Sequence, residues 1–194
     1  MVDTVPWNVN SVLSEIRLNT IARAFLDIYY GVDETLNTED DDNYTRGATF
    51  FGRSRQRLIR MSQSGEHPWL ALTNAAMDVT LEIEGVPFRF FRDDHASPSK
   101  KGFWRRNESD QLFAPDETTP VIFRFIVERP LIEDVDPEIY FVGFNAQGIQ
   151  VFEWRYGHVP VVRSIDETLP RAVEQGPAPV EIKKPDAGAQ EATK

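Results

Sequence analysis

Residues 44–63 read YTRGATFFGRSRQRLIRMSQ and contain five arginines and no acidic residue, in a chain of net charge −10. At about 100° per residue on a helical wheel, four of the arginines fall within about 60° of one another. We call these four the arginine stripe: Arg46, Arg53, Arg57 and Arg60. The opposite side of the wheel carries the apolar side chains Tyr44, Ala48, Phe51, Leu58 and Ile59. The stretch therefore predicts an amphipathic helix with one basic side.

Two glycines interrupt this predicted helix, at Gly47 and Gly52. Each costs about 1 kcal/mol relative to alanine inside a helix. We therefore expect either a break near Gly52 or a neighbouring element packed closely against it.

A second helix is predicted before it, over residues 11–30, where neither Gly nor Pro occurs and Gly31 follows as a C-terminal cap. Its apolar residues spread around most of the wheel, which predicts burial on more than one side. The acidic residues 32–43 separate the two helices, and we interpret them as a solvated capping loop. A calcium loop is disfavoured because residues 40–43 lack alternating ligands and a central glycine.

Strands are predicted in the rest of the chain, after a short third helix over residues 67–77 that begins near Pro68. Residues 77–83 and 86–90 alternate apolar and polar side chains around Gly85 and predict a hairpin. Further predicted elements are a long loop over 93–120, a buried strand over 121–129, a second hairpin over 139–144 and 149–155, an edge strand over 159–162 and a short helix over 166–174.

Helices followed by strands predict an α+β fold, in which two N-terminal helices pack on a mainly antiparallel sheet of four to six strands. We expect one domain over residues 1–175. Residues 176–194 contain few apolar side chains and predict a disordered C-terminal tail.

The amino-acid composition limits the classes of protein to which this chain could belong. The chain has 194 residues, no cysteine, 31 acidic residues and 21 Lys and Arg residues. No cysteine means no disulfide and no thiolate metal site. The first ten residues have neither a basic start nor an apolar run, so we expect no signal peptide, and no apolar run in the sequence is long enough for a membrane span. We expect a soluble cytoplasmic protein that does not associate with membranes.

Motifs for catalysis and for cofactors are missing. The sequence contains no Gly-rich phosphate loop and no nucleophile elbow, so we expect no cofactor. The only histidines are His67, His95 and His158, and we expect no metal ligands among them. A divergent metal-dependent hydrolase would have to use Asp93, Asp94 and His95, which also read as solvated loop charges. The protein is therefore expected not to be an enzyme.

The strongest functional feature is the coincidence of the arginine stripe with a second basic segment, which we call the basic loop. The candidate binding residues are Arg53, Arg57 and Arg60 in the stripe and Lys100, Lys101, Phe103, Trp104, Arg105 and Arg106 in the basic loop. An acidic body with one basic side suits recognition of another protein, as in a prokaryotic accessory or regulatory module.

Two alternatives remain open for these residues. Nucleic acid is possible as a partner, because arginines one turn apart bridge phosphates and exposed aromatic rings stack on bases. The other alternative is internal: the arginines would pair with residues 39–42 or with Glu82 and Glu84, and Trp104 would belong to the core.

Overall fold

The computed structural model describes residues 4–105, 118–129 and 136–157. The predicted edge strand at 159–162, the predicted helix at 166–174 and the predicted tail at 176–194 lie outside the described residues, as does the expected domain boundary after residue 175.

Three helices come first in the chain: α1 (Pro6–Val9), α2 (Glu15–Thr35) and α3 (Asn43–Gln63). The short α1 was missed by the sequence analysis. The prediction that Gly31 ends the second helix is wrong, because α2 continues to Thr35. The prediction that this helix is buried on more than one side is also wrong, because the buried residues of α2 lie on one broad face and Ile16 is exposed.

Helix α3 is continuous through Gly52, where an added Cβ would meet nothing within 4 Å. Neither a break nor a closely packed neighbour is therefore present at Gly52. The capping interpretation of the acidic segment is confirmed for Asp42, which accepts a hydrogen bond from the backbone N–H of Thr45 at 2.7 Å. This bond satisfies one of the N–H groups that a helix start leaves without a partner.

Six strands form one sheet in which the spatial order follows the sequence order. They are β1 (Leu70–Asn74), β2 (Thr80–Ile83), β3 (Val86–Phe91), β4 (Ile122–Glu128), β5 (Glu138–Phe144) and β6 (Gln150–Arg155). Neighbouring strands are antiparallel, apart from the parallel pair β3 and β4. The predicted α+β fold with a mainly antiparallel sheet is confirmed.

The predicted third helix at residues 67–77 is wrong. This segment contains β1, in which Leu70 is buried opposite Ile83 of β2. Pairing with a neighbouring strand therefore outweighs the local preference that Pro68 suggested. Met77 lies before β2 and is exposed rather than being part of the hairpin.

Apolar side chains fill a core on each face of the sheet. On one face, Phe25 of α2 packs against Phe90 and Phe125, with ring centroids 5.1 and 5.6 Å apart. On the other face, Phe103 from the connection between β3 and β4 packs with Tyr140 and Val142. Full burial of one such aromatic side chain contributes about 1.5–3 kcal/mol.

Arg124 of β4 fixes the described part of that connection to the sheet. Its side chain is buried, with Nε donating to the carbonyl of Phe103 at 2.8 Å and Nη2 to the carbonyl of Arg105 at 2.7 Å. A parallel strand pair requires such a long crossover. The basic loop is thus attached to the sheet through its backbone.

Candidate functional site

Three of the arginines on α3 donate hydrogen bonds to backbone carbonyls. Arg46 Nε donates to Leu36 at 2.8 Å, Arg53 Nη1 donates to Gly31 at 2.9 Å, and Arg55 donates to Ala75 and Ala76. Gly31 and Leu36 lie at the C-terminal end of α2, where cations interact favourably with the helix dipole. These arginines therefore join α3 to its neighbours.

Internal ion pairing of the arginine stripe is not observed. Within the described ranges, no arginine of α3 forms a salt bridge with a carboxylate. Glu84, one of the expected acidic partners, pairs instead with Arg17 at 2.6 Å. The charges of the stripe are therefore not neutralised by direct pairing in the part of the chain that the structure describes.

Arg57 and Arg60 are the two stripe residues left exposed without a bonded partner among the described residues. They line a groove of about 500 Å³ between α2 and α3, together with Asp27 and Ile28 of α2. The spacing of three residues places both guanidinium groups on the same side of α3. Arg57 and Arg60 can therefore bind two anionic groups of a partner at once.

The residues of the basic loop differ in how far they are buried. Lys100 and Lys101 are exposed, whereas Phe103 is fully buried and does not face a partner. Trp104 is 45% exposed and packs edge-on against Phe144 at 4.9 Å, so it is only partly in the core. Arg105 pairs with Asp78.

Arg106 lies outside the described residues. Of the described part of the basic loop, Lys100, Lys101, part of Trp104 and the paired but exposed Arg105 therefore remain accessible to a partner.

The arginine stripe and the two lysines do not form one continuous surface. Lys100 and Lys101 border a cleft whose α3 wall includes Tyr44 and Phe51, and this cleft shares no residue with the groove that holds Arg57 and Arg60. Phe51 and Arg60 are about 180° apart on the helical wheel. The single basic surface suggested by the sequence is therefore two surfaces on opposite sides of α3.

Asp94 and Glu128, which line the same cleft as Lys100 and Lys101, form a cluster with His95 in which each residue offers a ligand atom within 4.8 Å of the others. Nδ1 of His95 contacts the Glu128 carboxylate, and its ring stacks on Tyr140 with centroids 3.8 Å apart. Burial is the main cause that raises the pKa of Tyr140, and the hydrogen bond to Glu138 is the second. Both keep the phenol protonated. One imidazole and two carboxylates can hold a divalent metal.

The sequence indicates Asp93, Asp94 and His95 as the residues of a hydrolase but gives no indication of Glu128. Glu128 joins this cluster because β4 lies parallel to β3 and both strands end at the same edge. Asp93 has another role, since its carboxylate accepts hydrogen bonds from the backbone of Ser99 and Lys100, both at 2.7 Å. The hydrolase hypothesis stays a prediction with Glu128 as an added candidate.

Comparisons with protein-family models, with curated proteins and with solved structures find no match. No helix among the described residues is long and apolar enough to cross a membrane.

Proposed function

We propose that this protein is a non-enzymatic accessory or regulatory module that recognises another protein through Arg57 and Arg60 of α3. One observation carries this proposal. The two arginines are exposed one turn apart, without a bonded partner among the described residues, in a chain of net charge −10. Arginine is enriched at protein interfaces because its planar guanidinium binds carboxylates through two hydrogen bonds.

The charge distribution indicates the chemistry of the partner. The net charge of −10 attracts a surface of positive potential and repels a uniformly anionic one. On a protein partner, the groups that pair with Arg57 and Arg60 are carboxylates. The partner surface that fits both conditions is basic overall and presents acidic residues opposite the groove between α2 and α3.

Affinity purification with and without charge reversal tests this proposal. The tagged protein is purified after nuclease treatment and compared with the Arg57→Glu, Arg60→Glu double variant. We expect a defined set of proteins to be retained by the natural chain and lost from the variant, while far-UV circular dichroism is unchanged. Retention of the same set by both proteins contradicts the proposal.

Nucleic acid is the second candidate partner, supported by the exposed spacing of Arg57 and Arg60, which suits successive phosphates. Fluorescence anisotropy of labelled duplex DNA, single-stranded DNA and RNA at low and near-physiological salt tests it. Two phosphate contacts would give a slope of about −1.8 for duplex DNA and about −1.4 for a single strand in the logarithm of affinity against the logarithm of salt concentration. We expect no binding at low salt, because the acidic body repels phosphate chains.

A further inference from the structure

A cleft of about 880 Å³ opens beside the N-terminal half of α3, on the side away from Arg57 and Arg60. Its other walls include Phe91 and Arg92 at the end of β3, and Arg129 just after β4. These are the carboxyl ends of the parallel strand pair. The volume falls within the range of about 300–1,000 Å³ that small-molecule sites occupy.

One wall of this cleft is apolar and uncovered. On the apolar side of α3 that the sequence predicts, Leu58 and Ile59 are buried in the core and Phe51 is partly buried against it. Towards the N-terminus the same side lines the cleft, where Tyr44 is 81% exposed and faces a space that Met77, 72% exposed, also borders. Large apolar side chains gathered at one concave surface mark a binding site.

The four carboxylates that line the cleft are oriented by hydrogen bonds from this chain. Each of the four accepts a hydrogen bond from this chain: Asp78 from Arg105, Asp93 from Ser99 and Lys100, Asp94 from Ala96 and Ser97, and Glu128 from His95. The side chains of Lys100 and Lys101 are exposed and make no hydrogen bond or ion pair with the described residues. Five cationic side chains line the cleft against these four carboxylates, so its lining carries an excess of positive charge: Arg89, Arg92, Lys100, Lys101 and Arg129.

Arg92 adds a cation that is half-buried. Its guanidinium lies 5.8 Å from the ring centroid of Tyr29, and no carboxylate of the described residues forms a salt bridge with it. Burial lowers the pKa of Arg92, which reflects the cost of removing the charge from water. A bound anion would offset this cost.

We propose that this cleft binds a small organic anion with a flat apolar body, in which the anionic group meets Lys100, Lys101 and Arg92 and the apolar body lies between Tyr44 and Met77. The volume favours a small molecule over a protein segment, and the site does not depend on the recognition surface at Arg57 and Arg60.

Two fluorescent dyes test the proposal on the full-length protein. Anilinonaphthalene sulfonate carries both an anionic group and a flat apolar body, whereas phenylnaphthylamine has a similar body without charge. We expect saturable binding of the sulfonate dye, weakened by about tenfold in the Lys100→Glu, Lys101→Glu variant. Binding of the uncharged dye should change little in this variant.

Two further variants separate the cleft from other surfaces. Ala48 is exposed in the cleft, so Ala48→Trp should fill the apolar part and reduce binding of both dyes. The Arg23→Glu variant reverses an exposed positive charge outside the cleft and should bind the sulfonate dye like the natural chain. Thermal unfolding checks that every variant is folded. Equal loss of sulfonate binding in both charge-reversal variants, or no loss in either, overturns the proposal.

Discussion

Arg53 on α3 donates a hydrogen bond from Nη1 to the carbonyl oxygen of Gly31 on α2 at 2.9 Å, and a second to the hydroxyl of Thr35 at 3.0 Å. This contact joins the last turns of α2 to the middle of α3. It also divides the arginine stripe, because Arg46 and Arg53 hold the two helices together whereas Arg57 and Arg60 remain available. Recognition of a partner through Arg57 and Arg60 depends on this division.

Replacing Gly143 should destabilise the sheet. Gly143 of β5 lies opposite Phe152 of β6, and an added Cβ would come within 2.3 Å of the Phe152 ring. We expect Gly143→Ala to lower the free energy of unfolding by about 1–3 kcal/mol, as overpacked cores do. Urea denaturation measures this change.

Gly52→Ala is the matched control, since an added Cβ there meets nothing within 4 Å. It should raise the free energy of unfolding by about 0.5–1 kcal/mol through helix propensity. If Gly143→Ala and Gly52→Ala changed the free energy of unfolding equally, the contact with Phe152 would not be the cause of the change at Gly143.

Arg124→Met should loosen the connection between β3 and β4. The substitution leaves the carbonyls of Phe103 and Arg105 without their donor, and each unsatisfied buried acceptor costs about 1–3 kcal/mol. We expect a loss of roughly 2–4 kcal/mol in urea denaturation, together with faster amide hydrogen exchange in residues 100–105. Arg23→Met on the exposed side of α2 is the control and should change neither. Unchanged exchange in the Arg124 variant would contradict this role.

The cap at Asp42 should make stability depend on pH. The hydrogen bond from the backbone of Thr45 holds the pKa of Asp42 below its usual range. Its contribution is therefore present above the unfolded pKa of about 3.9 and is lost as pH falls through the lower folded pKa. Asp42→Ala should lower Tm at neutral pH. Asp42→Asn should keep Tm at neutral pH, because asparagine also caps a helix, and Tm should then fall less at acid pH than in the natural chain. If Tm of Asp42→Asn falls with pH as steeply as that of the natural chain, Asp42 is not the source of the pH dependence.

Tyr30 should lose its proton at a higher pH than an ordinary tyrosine. Its hydroxyl donates to Asp136 at 2.5 Å, and this bond raises the pKa of Tyr30 to about 12. An unfolded tyrosine has a pKa of about 10. The contribution of the Tyr30–Asp136 hydrogen bond to the free energy of unfolding is therefore complete below that pH and is lost as pH rises from about 10 to about 12. The tyrosinate absorbance of the natural chain minus that of Tyr30→Phe should have its midpoint near the raised value. Asp136→Asn should lower the midpoint, and an unchanged midpoint would exclude Asp136 as the cause.

Much of the fold could be predicted because its signals are local. The helix over residues 44–63 follows from a period of 3.6, and the β2–β3 hairpin follows from alternation around Gly85, which adopts a positive φ of 87°. Two elements could not be predicted this way. The strand β1 depends on pairing with β2, and the continuation of α2 past Gly31 is accompanied by bonds from Arg53 to its last turn.

The site was only partly predictable. A helical wheel places Arg57 and Arg60 on one exposed side of α3, as the structure does. The separation of Lys100 from these arginines, the burial of Phe103 and the contact of Glu128 with His95 all depend on the parallel pairing of β3 with β4. A single sequence does not reveal which distant strands become neighbours.

The most direct test of the central claim compares Arg57→Glu with Arg23→Glu. Both arginines are exposed and both substitutions change the net charge equally, but Arg23 lies outside the groove that holds Arg57. Proteins that co-purify after nuclease treatment are quantified for each variant against the natural chain. We expect the partner to be lost from Arg57→Glu and retained by Arg23→Glu. Equal recovery from the two variants would contradict recognition of a protein through this groove.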